Sequence, residues 1–244
     1  MKRIRLDVKT VELGLFETRE RAKASIMAGE ILVNGNPVLD SSYGVKDGDE
    51  IKLLEKKNPY VSRGGLKLKA AIDYFQISLK GRICLDIGVA TGGFSDCMIK
   101  EGAEKVYGVD VGKGQLNEKL LSEKRFVFIP ETNARFLKPE IFNEKPEFFA
   151  VDVSFISLKL IIPPIINCIS EKSSGVLLVK PQFELEAKDL KKGIVKSEEL
   201  RQKALNDIKT FISDMQFFDI VGAIDCPVEG AKGNREFLMY IKRK

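Results

Sequence analysis

The sequence predicts an α/β fold: a mostly parallel sheet covered by helices on both faces, preceded by a small α+β unit. Three observations carry this. From residue 60 onward, short apolar runs alternate with helical patterns, as in parallel strands joined by helices. The last two apolar runs, "FFDIVGAI" and "REFLMYIK", have no helix between them and therefore read as an antiparallel hairpin closing the sheet. The first 58 residues read instead as two short helices followed by short strands.

Taken in order, "DVKTVELGL" is a helix stopped by Gly14, and "TRERAKASIMAG" a second helix with Thr18 as N-cap and Gly29 as its stop signal. "EILVNGNPV" is a strand, an Asn34-Gly35 turn and a return strand, and "VKDGDEIKLL" adds another turn and strand. Lys56-Lys57-Asn58-Pro59 reads as a linker. "GLKLKAAIDYF" is helical; "RICLDIG", "KVYGVDV", "RFVFIP", "PEFFAVDVS" and "SGVLLVKP" are strands. Between them lie the helices "FSDCMIKEG", "GQLNEKLLSE" and the proline-bearing "SLKLIIPPIINCIS". Ser197 caps a long helix that runs to Met215. The expected division is residues 1–58 as the small domain, 59–82 as linker and first helix of the larger one, and 83–244 as its body.

Composition excludes several chemistries. The chain has no histidine, which removes serine–histidine and cysteine–histidine catalysis and histidine-ligated metals. Four scattered cysteines form no CxxC, so neither a zinc site nor a disulfide framework is expected, and no metal is assigned. "MKRIRLDVKT" is too charged for a signal peptide, and the most apolar stretch is too short to span a bilayer; a cytoplasmic protein without stable membrane association follows. The net charge of +5 is concentrated at residues 59–82, where five basic residues face Asp73 alone.

"CLDIGVATGGF" is a strand running into a glycine-rich turn and a helix, the place where open α/β sheets hold nucleotide-like ligands. Asp110 ends the next strand, where an acid can hold a ribose diol. This pairing also fits NAD, but the loop lacks the GxGxxG spacing. Asp86, just before the loop, opposes a phosphate and suits a cationic cofactor such as S-adenosylmethionine. A packing turn without a ligand is the bland alternative. Farther along, Asp152 and Lys180 end two strands expected to point to the same side as the loop, Glu236 lies in the last strand, and Lys67 begins a basic helix.

The stretches "YVSRGGLKLKAAI", "DIGVATGGFSD", "YGVDVGKGQL", "ETNARF", "VDVSFISL", "LVKPQFE" and "GNREFL" resemble the TlyA ribosomal RNA methyltransferases, often labelled haemolysin A. The larger part is similar to the FtsJ class of 2′-O-methyltransferases, with a Rossmann-like sheet; "RLDV" and "ETRERAKASIMAGEILVNG" resemble the S-four type of RNA-binding domain. The resemblance implies methylation of a ribose 2′-hydroxyl, of cytidine, in ribosomal RNA or ribosomal subunits. It implies a catalytic tetrad of Lys67, Asp152, Lys180 and Glu236. It also implies S-adenosylmethionine against Gly88, Ala90, Gly92 and Phe94, with Asp110 on the ribose and Asn133 and Ala134 near the adenine, beside the Asp86 already read as a cofactor residue.

These residue types suit the reaction. Methyl transfer from a sulfonium needs mainly positioning and a proton acceptor for a weak hydroxyl nucleophile. Without histidine, a lysine whose charge is suppressed by burial and by a second cation is the natural base. Arg3, Arg5, Arg19, Arg21, Lys23 and Arg63 are the candidate RNA contacts; Arg19 and Lys23 share a helix face by their i,i+4 spacing. Two other readings stay open: a membrane-active haemolysin-like protein, and an NAD-dependent enzyme with an RNA-binding module.

Overall fold

The computed structural model describes residues 3–16, 18–27, 30–53, 58–113, 115–230 and 233–244. The chain divides into two compact units, Met1–Lys57 and Asn58–Lys244. Gly29, Lys56, Lys57 and Gly114, to which stop, linker and helix-start roles were assigned above, lie outside the described residues.

The small unit runs β1 (Ile4–Arg5), α1 (Leu6–Glu12), α2 (Arg19–Met27), β2 (Ile31–Val33), β3 (Asn36–Pro37), β4 (Gly44–Val45) and β5 (Ile51–Leu53). Strands β3, β2 and β5 form one antiparallel sheet, and β1 pairs with β4 in a second ladder. The N-cap expected at Thr18 is present: its Oγ1 accepts Arg21 N at 3.3 Å. The β2–β3 turn is Asn34-Gly35, with φ of 52° and 81°, the paired left-handed conformation of a type I′ hairpin. Leu6, Ile26, Ile31, Val33 and Val45 form its buried core.

The larger unit runs α3 (Gly64–Phe75), β6 (Ile83–Ile87), α4 (Gly93–Lys100), β7 (Lys105–Val109), α5 (Glu118–Leu121), β8 (Phe126–Ile129) and β9 (Phe148–Val151). It continues with α6 (Leu158–Cys168), β10 (Ser174–Val179), α7 (Pro181–Glu184), α8 (Glu198–Asp214), β11 (Phe218–Asp225) and β12 (Phe237–Arg243). Residues 58–82 belong to this unit. Helix α5 is shorter than the pattern predicts, because Asn117 Oδ1 accepts Lys119 N at 3.0 Å and so starts the helix late. The short helix α7 has no sequence signature beyond its N-terminal Pro181.

The seven strands lie in the order β11-β12-β10-β9-β6-β7-β8. Strands β6 to β10 pair in parallel, and β12 inserts antiparallel between β10 and β11. Side chains alternate between two cores. Leu85, Ile87, Phe149, Val151, Leu177 and Val179 pack with α6 and α8; Cys84, Phe148, Ala150, Val176 and Leu178 pack with α3 and α4. Burial on both faces is why the strands read as continuous apolar runs. From β6 the chain winds one way through β7 and β8, then crosses to β9 on the other side of β6. The topological switch point therefore lies between the carboxyl ends of β6 and β9, where open sheets leave a crevice.

Candidate active site

Gly88 leaves β6 at this crevice with φ of 89°, and a Cβ on it would stand 2.1 Å from Asp152 O. Only glycine fits, in both conformation and space. Gly88 N donates to Val109 O at 2.9 Å and Asp152 N to Ile87 O at 2.9 Å, so the loop is fixed from both neighbouring strands. Ala90 follows in the left-handed region, φ 48°, and its N–H donates to Asp110 Oδ2 at 2.8 Å. Asp110 Oδ1 accepts Gly112 N at 2.7 Å. One carboxylate thus ties two strand-end loops together, while keeping lone pairs free on the cavity side, since an ionised carboxylate has about four acceptor positions.

The adjoining cavity, about 530 Å³, is lined by Gly88, Ala90, Asp110, Asn133, Ala134 and Asp152 together with apolar walls from Val111, Ile156 and Ile161. Asn133 Oδ1 is engaged in capping Arg135 N at 3.0 Å, which leaves its NH₂ as the donor for a ligand. No lysine or arginine among the described residues lines this cavity, whereas Asp110 and Asp152 do. That charge suits a nucleoside carrying a positive group and disfavours a pyrophosphate.

Two of the residues assigned to the cofactor stay behind the wall. Asp86 is wholly buried and points at α4, where its Oδ2 accepts Ser95 Oγ at 2.6 Å; its Oδ1 has no hydrogen-bond partner among the described residues. Burial, and then the neighbouring Asp152 and Asp110 charges, push its carboxyl up to about 7 against the Ser95 hydrogen bond. It lines neither cavity described here. Gly92 is the N-cap residue of α4, and a Cβ on it would meet the side chain of Leu120 at 2.0 Å, so its role is helix packing. Phe94 is buried in the core but borders the second cavity.

That second cavity, about 350 Å³, shares Gly88, Ala90, Asp152 and Ser154 with the first and adds Arg63, Lys67 and Lys180. The starts of α3 and α4 touch through glycines: a Cβ on Gly93 would lie 2.2 Å from Ser62 Oγ and 2.8 Å from Gly65 N. This close approach carries Lys67, in the first turn of α3, to the cavity. Asp152, Lys180 and Glu236 are each one residue beyond a strand, after β9, after β10 and before β12. The β10–β12 register pairs Val179 with Phe237, which sets Lys180 and Glu236 side by side.

The four side chains form two ion pairs. Lys67 Nζ is 2.6 Å from Glu236 Oε2, both buried, and Lys180 Nζ is 2.6 Å from Asp152 Oδ1. Lys180 Nζ also donates to Ser154 Oγ at 3.1 Å. Lys180 Nζ also lies 5.8 Å from the centre of the Phe183 ring. Gln182 Nε2 donates to the other Glu236 oxygen at 3.3 Å, and the turn before β12 closes so tightly that a Cβ on Gly230 would stand 2.1 Å from Glu236 Oε1.

Residue-by-residue reading of the sequence passed over Ser154, Gln182, Phe155, Phe183 and Glu184. Phe155 is 91% exposed, sits at φ 63°, and its ring lies tilted by 48° against Phe183, with centroids 5.0 Å apart. A bulky residue in that conformation is a true outlier and persists only where its surroundings hold it. Glu184 supplies the hold: it accepts Ser157 Oγ at 2.5 Å and Leu158 N at 2.9 Å, stitching α7 to the start of α6. The one available signal was position, directly after strand-ending Asp152 and Lys180.

The expected RNA contacts divide. Arg63 is exposed at the rim of the second cavity. Arg5 and Arg19 both bind the buried carboxylate of Asp7. Arg3 is exposed with its stem against Gly44; Arg21 is exposed and Lys23 half-buried on α2. No cluster of three or more metal-ligating side chains occurs among the described residues.

The FtsJ-like methyltransferase family model matches residues 60–243, and the S4 domain model residues 4–51. Hemolysin A of Brachyspira hyodysenteriae is 42% identical over 97% of this chain and 99% of its own length. The 16S/23S rRNA (cytidine-2′-O)-methyltransferase TlyA of Mycobacterium tuberculosis is 33% identical over 99% of this chain and 90% of its own. Among solved structures, a candidate hemolysin from Streptococcus thermophilus superposes with a TM-score of 0.79 at 40% identity, covering 100% of this chain and 90% of that one.

Proposed function

The chain belongs to the FtsJ-like methyltransferases, carrying an S4 domain, and from that premise we propose that it transfers the methyl group of S-adenosylmethionine to a ribose 2′-hydroxyl, of cytidine, in ribosomal RNA. The observation that carries this reading is the meeting of two lysine–carboxylate pairs, at the ends of three adjacent strands, with a cavity shaped for a nucleoside. The acid-lined cavity, with no lysine or arginine among its described lining residues, supports S-adenosylmethionine over NAD.

The cofactor supplies an already activated methyl group. The residues of the chain orient the acceptor and receive its proton. Asp110 takes the ribose diol, with Asn133 and Ala134 beside the base. Glu236, steadied by Gln182, fixes Lys67; Asp152 and Ser154 fix Lys180. Lys180, once its own ammonium has given a proton to solvent, would take the 2′-hydroxyl proton as that oxygen accepts the methyl group. The resulting ammonium stays beside Asp152, which stabilises the charge as it develops. The exposed Phe155 ring offers a stacking face for a base turned out of its stack. The S4 unit docks structured RNA through phosphates, which position a substrate without reading its sequence. No helix among the described residues is long and apolar enough to cross a membrane; we assign the protein to the cytoplasm, where its RNA substrate resides.

Purified protein, isotopically labelled S-adenosylmethionine and ribosomal subunits test the reading, with nucleoside analysis of the digested RNA. The expected product is 2′-O-methylcytidine; label on a base, or none on RNA, refutes it. Lys180→Arg keeps the charge but not a usable base. Rates should fall by about 10²–10⁴ in both Lys180→Arg and Lys180→Ala, the usual worth of general-base catalysis. An active arginine variant makes Lys180 a clamp rather than the proton acceptor.

A further inference from the structure

Residues Arg5, Leu6 and Asp7 sit where β1 passes into α1. Leu6 is wholly buried against Ile26, Ile31 and Val45, and this anchors the junction. Asp7, next in the chain, is also wholly buried, an unusual place for a carboxylate. Two arginines from different elements explain it. Arg5 Nε donates to Asp7 Oδ1 at 3.0 Å and Arg5 NH2 to Oδ2 at 3.1 Å, while Arg19 NH2, from the first residue of α2, donates to Oδ2 at 3.0 Å.

We propose that Asp7 is a positioning residue that assembles Arg5 and Arg19 into a single clamp for an RNA phosphate, a role that rests on the RNA reading above. The carboxylate itself is closed to any ligand, but each arginine side chain remains 49% exposed. A guanidinium has five N–H donors, so Arg19 in particular keeps most of its own for solvent or a ligand. One arginine would neutralise Asp7. The second leaves a net positive charge, fixed at one point and directed outward. Two guanidinium edges held together match the oxygens of a phosphodiester, which arginine binds in bidentate fashion. Thr18 caps α2 on Arg21 N and so fixes the backbone from which Arg19 projects. Asp40, which also acts on Arg5, is engaged with Ser42 N and Oγ at 2.8 and 2.7 Å. Arg5 and Arg19 hold the Asp7 carboxyl at about 2, so the clamp is assembled throughout the neutral range.

The sign of one measurement separates a clamp from diffuse electrostatics. Asp7→Asn adds one unit of positive charge to the protein, and counter-ion release alone would then tighten RNA binding. A clamp predicts the opposite, since the amide oxygen can retain one arginine and frees the other. The test is fluorescence anisotropy of the full chain with a labelled ribosomal RNA hairpin across a salt series, with folding checked by circular dichroism. Folded Asp7→Asn should bind about 2- to 10-fold more weakly, the equivalent of ordering one freed arginine again. Equal or tighter binding overturns the clamp. If Asp7→Asn does not fold, Arg19→Lys decides: it keeps the charge and the salt slope but loses the second edge, and should bind several-fold more weakly. Unchanged affinity there overturns the proposal. Failure of the unaltered chain to bind the hairpin overturns the RNA reading, and the clamp with it.

Discussion

Asp86 offers a quantitative test of how the cofactor end of the sheet is built. Its carboxyl is raised from 3.8 to about 7, chiefly because it is completely buried. Between these values the native chain keeps a proton that the unfolded chain has released. Native stability therefore falls as pH rises through this window and levels off above about pH 7. At about 1.4 kcal/mol per pH unit, the Asp86 contribution to that fall amounts to about 4 kcal/mol between pH 4 and pH 8. Asp86→Asn cannot titrate. Its buried amide adds a constant offset, but the difference between the wild-type and variant stability curves should still move by about 4 kcal/mol across the window. In a domain of this size that corresponds to a change of about 8–16 °C in the difference between the two melting temperatures. Thermal unfolding at half-unit pH steps measures it. Parallel curves for the two proteins would refute the reasoning, because Asp86 would then ionise in the folded chain as readily as in the unfolded one.

Gly88→Ala should abolish cofactor binding in calorimetry while the protein still folds, since a Cβ there meets Asp152 O at 2.1 Å and the residue needs φ of 89°; retained affinity would mean that the loop can move aside. Phe155→Ala should raise KM for RNA by more than it weakens cofactor binding, since the ring borders the first cavity but is 91% exposed. The loss of a stacking face is worth about 1–3 kcal/mol, or roughly 5- to 150-fold. A change confined to cofactor affinity would assign the ring to the adenine instead.

The alternating apolar runs made the sheet legible, and the final hairpin was legible from the missing helix between its strands. The site was legible where a charged residue terminates an apolar run, as Asp152 and Lys180 do. Glu236 was read as part of the last strand, but the strand starts at Phe237; alternation in the sequence cannot tell the first paired residue from the one before it. The sequence likewise does not show that Asp86 and Gly92 border neither cavity. Both stand in the glycine-loop motif, but the direction of a side chain depends on which face of β6 it leaves and on where α4 begins. The Asp7 triad had no signature, because Arg19 and Asp7 are twelve residues apart and only the packing of α2 beside α1 joins them.

Register, more than loop structure, places the proposed chemistry. Asp152, Lys180 and Glu236 are the first residues beyond their strands, where the backbone is still fixed by the ladder and the side chains gather at one end of the sheet. A one-residue slip of β12 against β10 would move Phe237 to the opposite core and take Glu236 away from Lys67 and Gln182, so the apolar cores that set the register also set the position of the proposed catalytic carboxylate. The fourth member, Lys67, comes from outside the sheet, on a helix whose close approach depends on Gly93 having no side chain. Each lysine is then held by a carboxylate from the sheet, so the tetrad carries no net charge when ionised. On the proposed reading Lys180 acts as base only after its ammonium has given up a proton, and Asp152 beside it then stabilises the charge that returns with the 2′-hydroxyl proton; this is how a chain without histidine would provide for proton transfer next to a methyl donor.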